Sequence, residues 1–193
     1  MPGLRVISGT ARGRRLKMVP GEGTRPVSDR AKGALFNILG SDVSDAVFLD
    51  LFAGTGSVGI EALSRGAARA VFVEKDAQAA RIVEQNLVLT GLRQSADVIR
   101  EDAFRYLERT REPRFDLVYI APPQYKGLCE RAVRALDRSP ICLRPDAVII
   151  AQIHPQEFLE LDLEKLVEYD RRKYGSTLLV FYEYPVTNGE GIR

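Results

Sequence analysis

The chain has 193 residues, with 28 Lys and Arg against 26 Asp and Glu, 45% hydrophobic and 28% charged content, two Cys and one His. These values fit one folded domain with a small extension and exclude a disordered chain, a disulfide scaffold and a zinc site built from protein ligands alone. No apolar run approaches the roughly 18 residues of a membrane span, and Met1-Pro2-Gly3-Leu4-Arg5 lacks a signal-peptide core, so a soluble, reducing, cytoplasmic setting is expected.

In chain order, residues 4–19 alternate loosely around Gly13 and predict two short strands joined by a Gly/Arg turn. A Gly- and Pro-rich link, Pro20 to Pro26, follows. Ser28 can cap a helix whose apolar positions are Ala31, Ala34, Leu35 and Ile38, leaving Arg30 and Lys32 on the other side. From residue 46, short Val- and Ile-rich runs alternate with helical stretches. Strands are expected at 46–49, 70–73, 97–99, 116–120 and 147–151, and helices at 57–64, 77–89, 103–108 and 128–136. That rhythm predicts an α/β domain with a parallel sheet covered on both faces. The tail breaks it. Residues 166–173 and 177–184, joined by Tyr174-Gly175-Ser176, leave no room for a helix and predict an antiparallel hairpin at the sheet edge.

Charge is unevenly spread. Residues 1–40 hold eight basic and two acidic groups, a net +6, so the remainder is net −4. A basic end on a mildly acidic body is the footprint of contact with a polyanion, although a solvated basic arm gives the same pattern.

The strongest local signal is Asp50-Leu51-Phe52-Ala53-Gly54-Thr55-Gly56-Ser57-Val58-Gly59. It follows a strand, opens a helix and satisfies G-x-G-x-x-G, whose glycines let backbone turn tightly and approach a ligand. Glu74 ends the next strand, where a carboxylate can grip ribose hydroxyls. Asp50, at its own strand tip, can meet the amino-acid end of a cofactor and would repel a pyrophosphate. Asp102 can accept from an adenine amino group or simply cap the next helix. The pattern by itself leaves a dinucleotide and S-adenosylmethionine both open. After the fourth strand comes Ala121-Pro122-Pro123-Gln124-Tyr125. Two prolines stiffen this loop and remove two donors, leaving carbonyls that can accept from an exocyclic amine.

On these residues the chain resembles the class I, S-adenosylmethionine-dependent methyltransferases, and more narrowly the bacterial 16S rRNA (guanine-N2)-methyltransferase family called RsmD. The likeness rests on Arg5-Val6-Ile7-Ser8-Gly9 with Arg12-Gly13-Arg14, Arg25-Pro26-Val27-Ser28-Asp29-Arg30, Ala34-Leu35-Phe36-Asn37-Ile38-Leu39, Asp50 to Gly59, and Tyr174-Gly175-Ser176-Thr177. It implies a Rossmann-like seven-stranded sheet with an antiparallel C-terminal hairpin at residues 41–193. A basic hairpin and helix at 1–40 would contact RNA. S-adenosylmethionine is expected against Asp50, Phe52, Ala53, Gly54, Thr55, Gly56, Glu74, Lys75, Asp102 and Ala103, with no metal. Small-subunit rRNA, free or partly assembled, is the expected partner of a monomer, gripped by Arg12, Arg14, Arg15, Lys17, Arg25 and Arg30.

The resemblance also places catalysis at Ala121, Pro122, Pro123 and Tyr125. The family carries Asp or Asn, Pro, Pro, then Tyr or Phe there, the first side chain holding the target amine and the ring stacking on the base. Here Ala121 and Gln124 occupy those two slots, with Tyr125 one place later. Two other readings stand beside methyl transfer: a non-catalytic RNA-binding or assembly factor, favoured by Ala121 and Gln124, and a nicotinamide-dependent oxidoreductase, disfavoured by Asp50 and the Pro-Pro loop. His154 is read as structural or at the substrate edge rather than catalytic, and the two Cys as core residues.

Overall fold

A computed structural model describes residues 4–20 and 27–185. Strands β1 (Val47–Asp50), β2 (Arg69–Val73), β3 (Ala96–Ile99), β4 (Phe115–Ile120), β5 (Leu143–Ile153), β6 (Val167–Tyr174) and β7 (Thr177–Tyr184) form one sheet in the order β3-β2-β1-β4-β5-β7-β6. The first five are parallel, and β7 enters antiparallel between β5 and β6. β7 is therefore internal and its five central residues are buried, whereas β6 alone forms that edge. The turn into β7 is tight because Gly175 adopts φ 61°, a conformation the first position of a two-residue hairpin requires.

Five helices cover the sheet: α1 (Asp29–Leu39), α2 (Ser57–Ser64), α3 (Ala77–Thr90), α4 (Ala103–Arg109) and α5 (Leu128–Arg138). One core lies between the sheet and α1–α3, and it includes Leu35, Phe36, Phe48, Ile60, Phe72 and Leu87. The other, beneath α4 and α5, includes Leu49, Val71, Tyr106, Phe115, Val118 and Ile149. Both faces of β1, β2 and β4 and of the second half of β5 are largely buried, which explains why these stretches read as continuous apolar runs. Gly59 lets α2 sit directly on β2, since a Cβ there would fall 2.4 Å from the Phe72 ring.

Three expectations change. Residues 4–19 form a short, irregular hairpin rather than two regular strands: Arg5 bridges Arg15 antiparallel, the Val6 amide donates to the Arg14 carbonyl and the Leu16 amide to the Leu4 carbonyl, while the Ile7, Ser8 and Lys17 amides bond outward to α2 and α3. Its Leu4, Val6, Ala11 and Leu16 join the α1–α3 core. The inward face of α1 is Ala31, Lys32, Leu35, Phe36 and Leu39, rotated from the face expected. Lys32 is accordingly fully buried while Arg30 is exposed. The Lys32 ammonium lies 3.5 Å from Glu61, donates to the Arg5 carbonyl at 2.7 Å and to Ser57 Oγ at 2.9 Å. Glu61 also accepts from the Ile7 and Ser8 amides and from Arg65, so the basic segment is welded to α2. Arg25 lies outside the described residues.

Candidate active site

Strand order reverses between β1 and β4, and in open α/β sheets ligands bind beyond the strand tips at such a switch point. A cleft of about 780 Å³ occupies that place. Asp50, Phe52, Ala53, Gly54, Thr55, Glu74, Lys75, Asp102 and Ala103 all line it, as do Ala121, Pro122 and Pro123. Gly56 does not. It turns the chain into α2 at φ 75°, and a Cβ there would press to 3.1 Å from Val83, so its part in the site is steric.

The carboxylates are positioned by local backbone chemistry. Asp50 closes β1 and accepts only the Gly59 amide, at 3.2 Å through Oδ2, while its Oδ1 is buried without a partner among the described residues. Burial, opposed by the Gly59 bond and reinforced by Glu74, pushes this carboxyl up to about 8. Glu74 follows β2 and clamps the glycine loop, Oε2 accepting the Gly54 amide at 2.9 Å and Oε1 the Asp76 amide at 2.9 Å. Asp102 caps α4 through Oδ1, which accepts from the Phe104 and Arg105 amides. Its two expected roles are compatible, because one oxygen makes the cap and Asp102 still borders the cleft.

Several cleft residues carried no functional mark in the sequence. Tyr119 donates from its hydroxyl to Gln152 Oε1 at 2.6 Å, joining the β4 and β5 tips, and burial raises its phenol well above the ordinary value. Gln152 is conspicuous afterwards as the one polar residue in the run Ala147–Ile153. Arg131 stacks its guanidinium 3.7 Å over the Phe104 ring, and with Lys126 it brings positive charge to the β4 side of the cleft.

Tyr125 departs from the cleft. It adopts φ 60° and turns beside His154, ring centroids 5.7 Å apart, while Gln124 lines the cleft. His154 Nδ1 accepts the Gln156 amide and caps a short turn, a structural role. Arg12, Arg14, Arg15 and Lys17 are exposed, and the Lys17 ammonium donates to Gln85 on α3.

Residues 4–183 match the family described as Conserved hypothetical protein 95. The chain is 38% identical to YlbH of Bacillus subtilis (strain 168) over 182 residues, 93% of this chain and 98% of that protein. It is 38% identical to Ribosomal RNA small subunit methyltransferase D of Haemophilus influenzae over 151 residues, covering 77% and 78% of the two chains. The solved yhhF protein of Escherichia coli superposes with a TM-score of 0.84 at 30% identity, over 96% of this chain and all of that one. With the switch-point cleft, the acidic strand tips and these relatives together, the chain belongs to the RsmD family of S-adenosylmethionine-dependent rRNA methyltransferases.

Proposed function

We propose that this chain methylates the N2 amine of a guanine in 16S rRNA, using S-adenosylmethionine held across the tips of β1, β2 and β3. The observation that carries the reading is Asp50, a buried carboxylate with an unpartnered oxygen at the floor of the cleft. A cationic amino group satisfies it, and a pyrophosphate beside Asp50 and Glu74 would be repelled. When bound, the cofactor supplies a methyl group already activated on a positive sulfur.

The protein's own residues then align and desolvate the reactants. Glu74 and Asp102 receive ribose and adenine groups, and Phe52 and Phe104, in edge contact at 6.2 Å, supply an apolar wall. On the β4 side, Pro122 and Pro123 contribute backbone acceptors without competing N–H donors. Guanine N2 is a poor nucleophile because its lone pair is delocalised into the ring, so acceptors on its N–H bonds help as positive charge develops. The proton released on methylation passes to water. The base edge is reachable only when the guanine is unpaired or flipped out. Arg12, Arg14, Arg15, Lys17 and Arg30 grip the surrounding phosphates, with Arg25 assigned to the same group.

Ala121 and Gln124 support a second reading, an RNA-binding assembly factor that keeps the fold without the chemistry. One experiment decides. Purified protein is incubated with 16S rRNA, alone and in partly assembled subunits, and methyl-labelled S-adenosylmethionine, and the RNA is mapped by mass spectrometry. A single N2-methylguanine is expected. RNA binding without any methylated nucleotide favours the assembly factor.

A further inference from the structure

The loop after β4 is a partition. Gln124, Lys126 and Leu128 line the large cleft, while the alternate residues Tyr125, Gly127 and Cys129 line a second cavity of about 240 Å³. Phe158 and Tyr182 wall that cavity, and Glu130 and Glu157 bring carboxylates to it. Tyr125 is pinned in place. Its amide donates to Glu157 Oε1 at 2.6 Å, and its φ of 60° is one that non-glycine residues adopt only under constraint. Yet 64% of this residue is solvent-accessible, so an aromatic ring on a constrained backbone, beside His154, is offered to solvent next to the substrate loop.

Size and charge together select an occupant. The cavity falls below the roughly 300–1,000 Å³ of drug-sized ligand sites and suits one ring system. Glu130 is paired with Arg134 and Glu157 accepts the Tyr125 and His154 amides, and the remaining lone pairs of these carboxylates disfavour a phosphate but can accept from the N–H edges of a base. A cation for the adjoining backbone stands close by: the Arg171 guanidinium lies 3.9 Å over the Phe158 ring, and it is paired through Nε with Glu168 at 2.8 Å. Unpaired RNA bases are held by this combination of aromatic stacking and edge hydrogen bonds.

We propose that this second cavity receives one unpaired base adjoining the methylated guanine, with Tyr125 as its stacking platform, so that the partition loop separates two neighbouring bases. The inference rests on the RNA-methylation reading and adds a second base site to it. Tyr125 then selects RNA rather than stacking on the target guanine.

The test is a cycle between protein and RNA. The methylated guanine is located first with wild-type protein, and substrates are made with an abasic nucleotide on its 5′ or 3′ side. Tyr125→Ala is expected to raise KM for intact RNA by about 5- to 100-fold, the range for one lost base stack. Tyr125→Phe should restore wild-type behaviour, and S-adenosylhomocysteine affinity should stay within about twofold in both. One of the abasic substrates should bind wild type as poorly as intact RNA binds Tyr125→Ala, with little further loss when the two changes are combined. Additive losses at both flanking positions overturn the subsite while leaving the methylation reading intact. A fall in kcat at unchanged KM would return Tyr125 to the target base and likewise overturn it. If wild type methylates no RNA, both readings fall together.

Discussion

Two buried carboxylates, Asp50 at the end of β1 and Glu61 within α2, have opposite surroundings. Glu61 is saturated, with the Ile7 and Ser8 amides, Arg65 and the Lys32 ammonium all around it. Asp50, equally buried, has one amide and an oxygen with no partner among the described residues. A buried carboxyl whose partners are all internal holds the molecule together; one left incomplete at the floor of a cleft is completed by a ligand. The contrast assigns the first to architecture and the second to cofactor binding.

The strongest challenge to that contrast is to break the saturated pair. Lys32→Met leaves Glu61 with Arg65 as its one counter-charge among the described residues and should cost up to about 3–5 kcal/mol in urea unfolding. Burial lowers the Lys32 ammonium's proton affinity while Glu61 sustains it, so the pair itself is lost when either member is removed. A loss below about 1 kcal/mol would show that the pair is not structural.

Asp50→Asn should behave in the reverse way. It is expected to lose about 10- to 150-fold in S-adenosylhomocysteine affinity, the size of one lost charge-assisted contact of 1.5–3 kcal/mol, while the fold persists. The sign of its stability effect follows from the carboxyl being raised to about 8 from an ordinary value near 3.8. The unfolded chain releases this proton first, so wild type loses stability as pH climbs from about 4 to 8. The advantage of Asp50→Asn should therefore grow across that window, by at most about 1.4 kcal/mol per pH unit, and level off above it. Urea melts at pH 5, 7 and 9 measure it.

On the substrate side, Ala121→Asn restores an acceptor and should raise kcat, by as much as about 10²-fold if its geometry matches that of a catalytic hydrogen-bond donor or acceptor. An unchanged rate would mean that another group holds the amine. The gentlest change is at the periphery. Converting Arg12, Arg14, Arg15 and Lys17 to Ala should weaken RNA binding generally and flatten the slope of log affinity against log salt by about three, without altering cofactor affinity.

Much of the fold was legible because its signals are local. Val- and Ile-rich runs marked the strands, Ser28 marked a helix start, and the glycine loop announced a nucleoside cleft. What escaped depends on partners distant in the chain. Lys32 reads as a surface lysine until Glu61, 29 positions on, is brought against it. The direction of Tyr125 is set by Glu157, 32 residues away, and the placing of Gln152 by its bond to Tyr119. The basic segment at residues 4–19 looked like a free hairpin because its apolar positions alternate, but Glu61, Ser64 and Asn86 take up amides that a regular hairpin would have paired internally.

The central claim is that a cationic nucleoside completes Asp50. It is tested most directly by calorimetric titration of S-adenosylhomocysteine at pH 7 in buffers of different ionisation enthalpy. With its carboxyl raised to about 8, Asp50 should hold a proton in the free protein and ionise against the ligand's ammonium, so binding should release up to about one proton in wild type and none in Asp50→Asn. Binding of equal strength in both proteins, with no proton released by either, would contradict it.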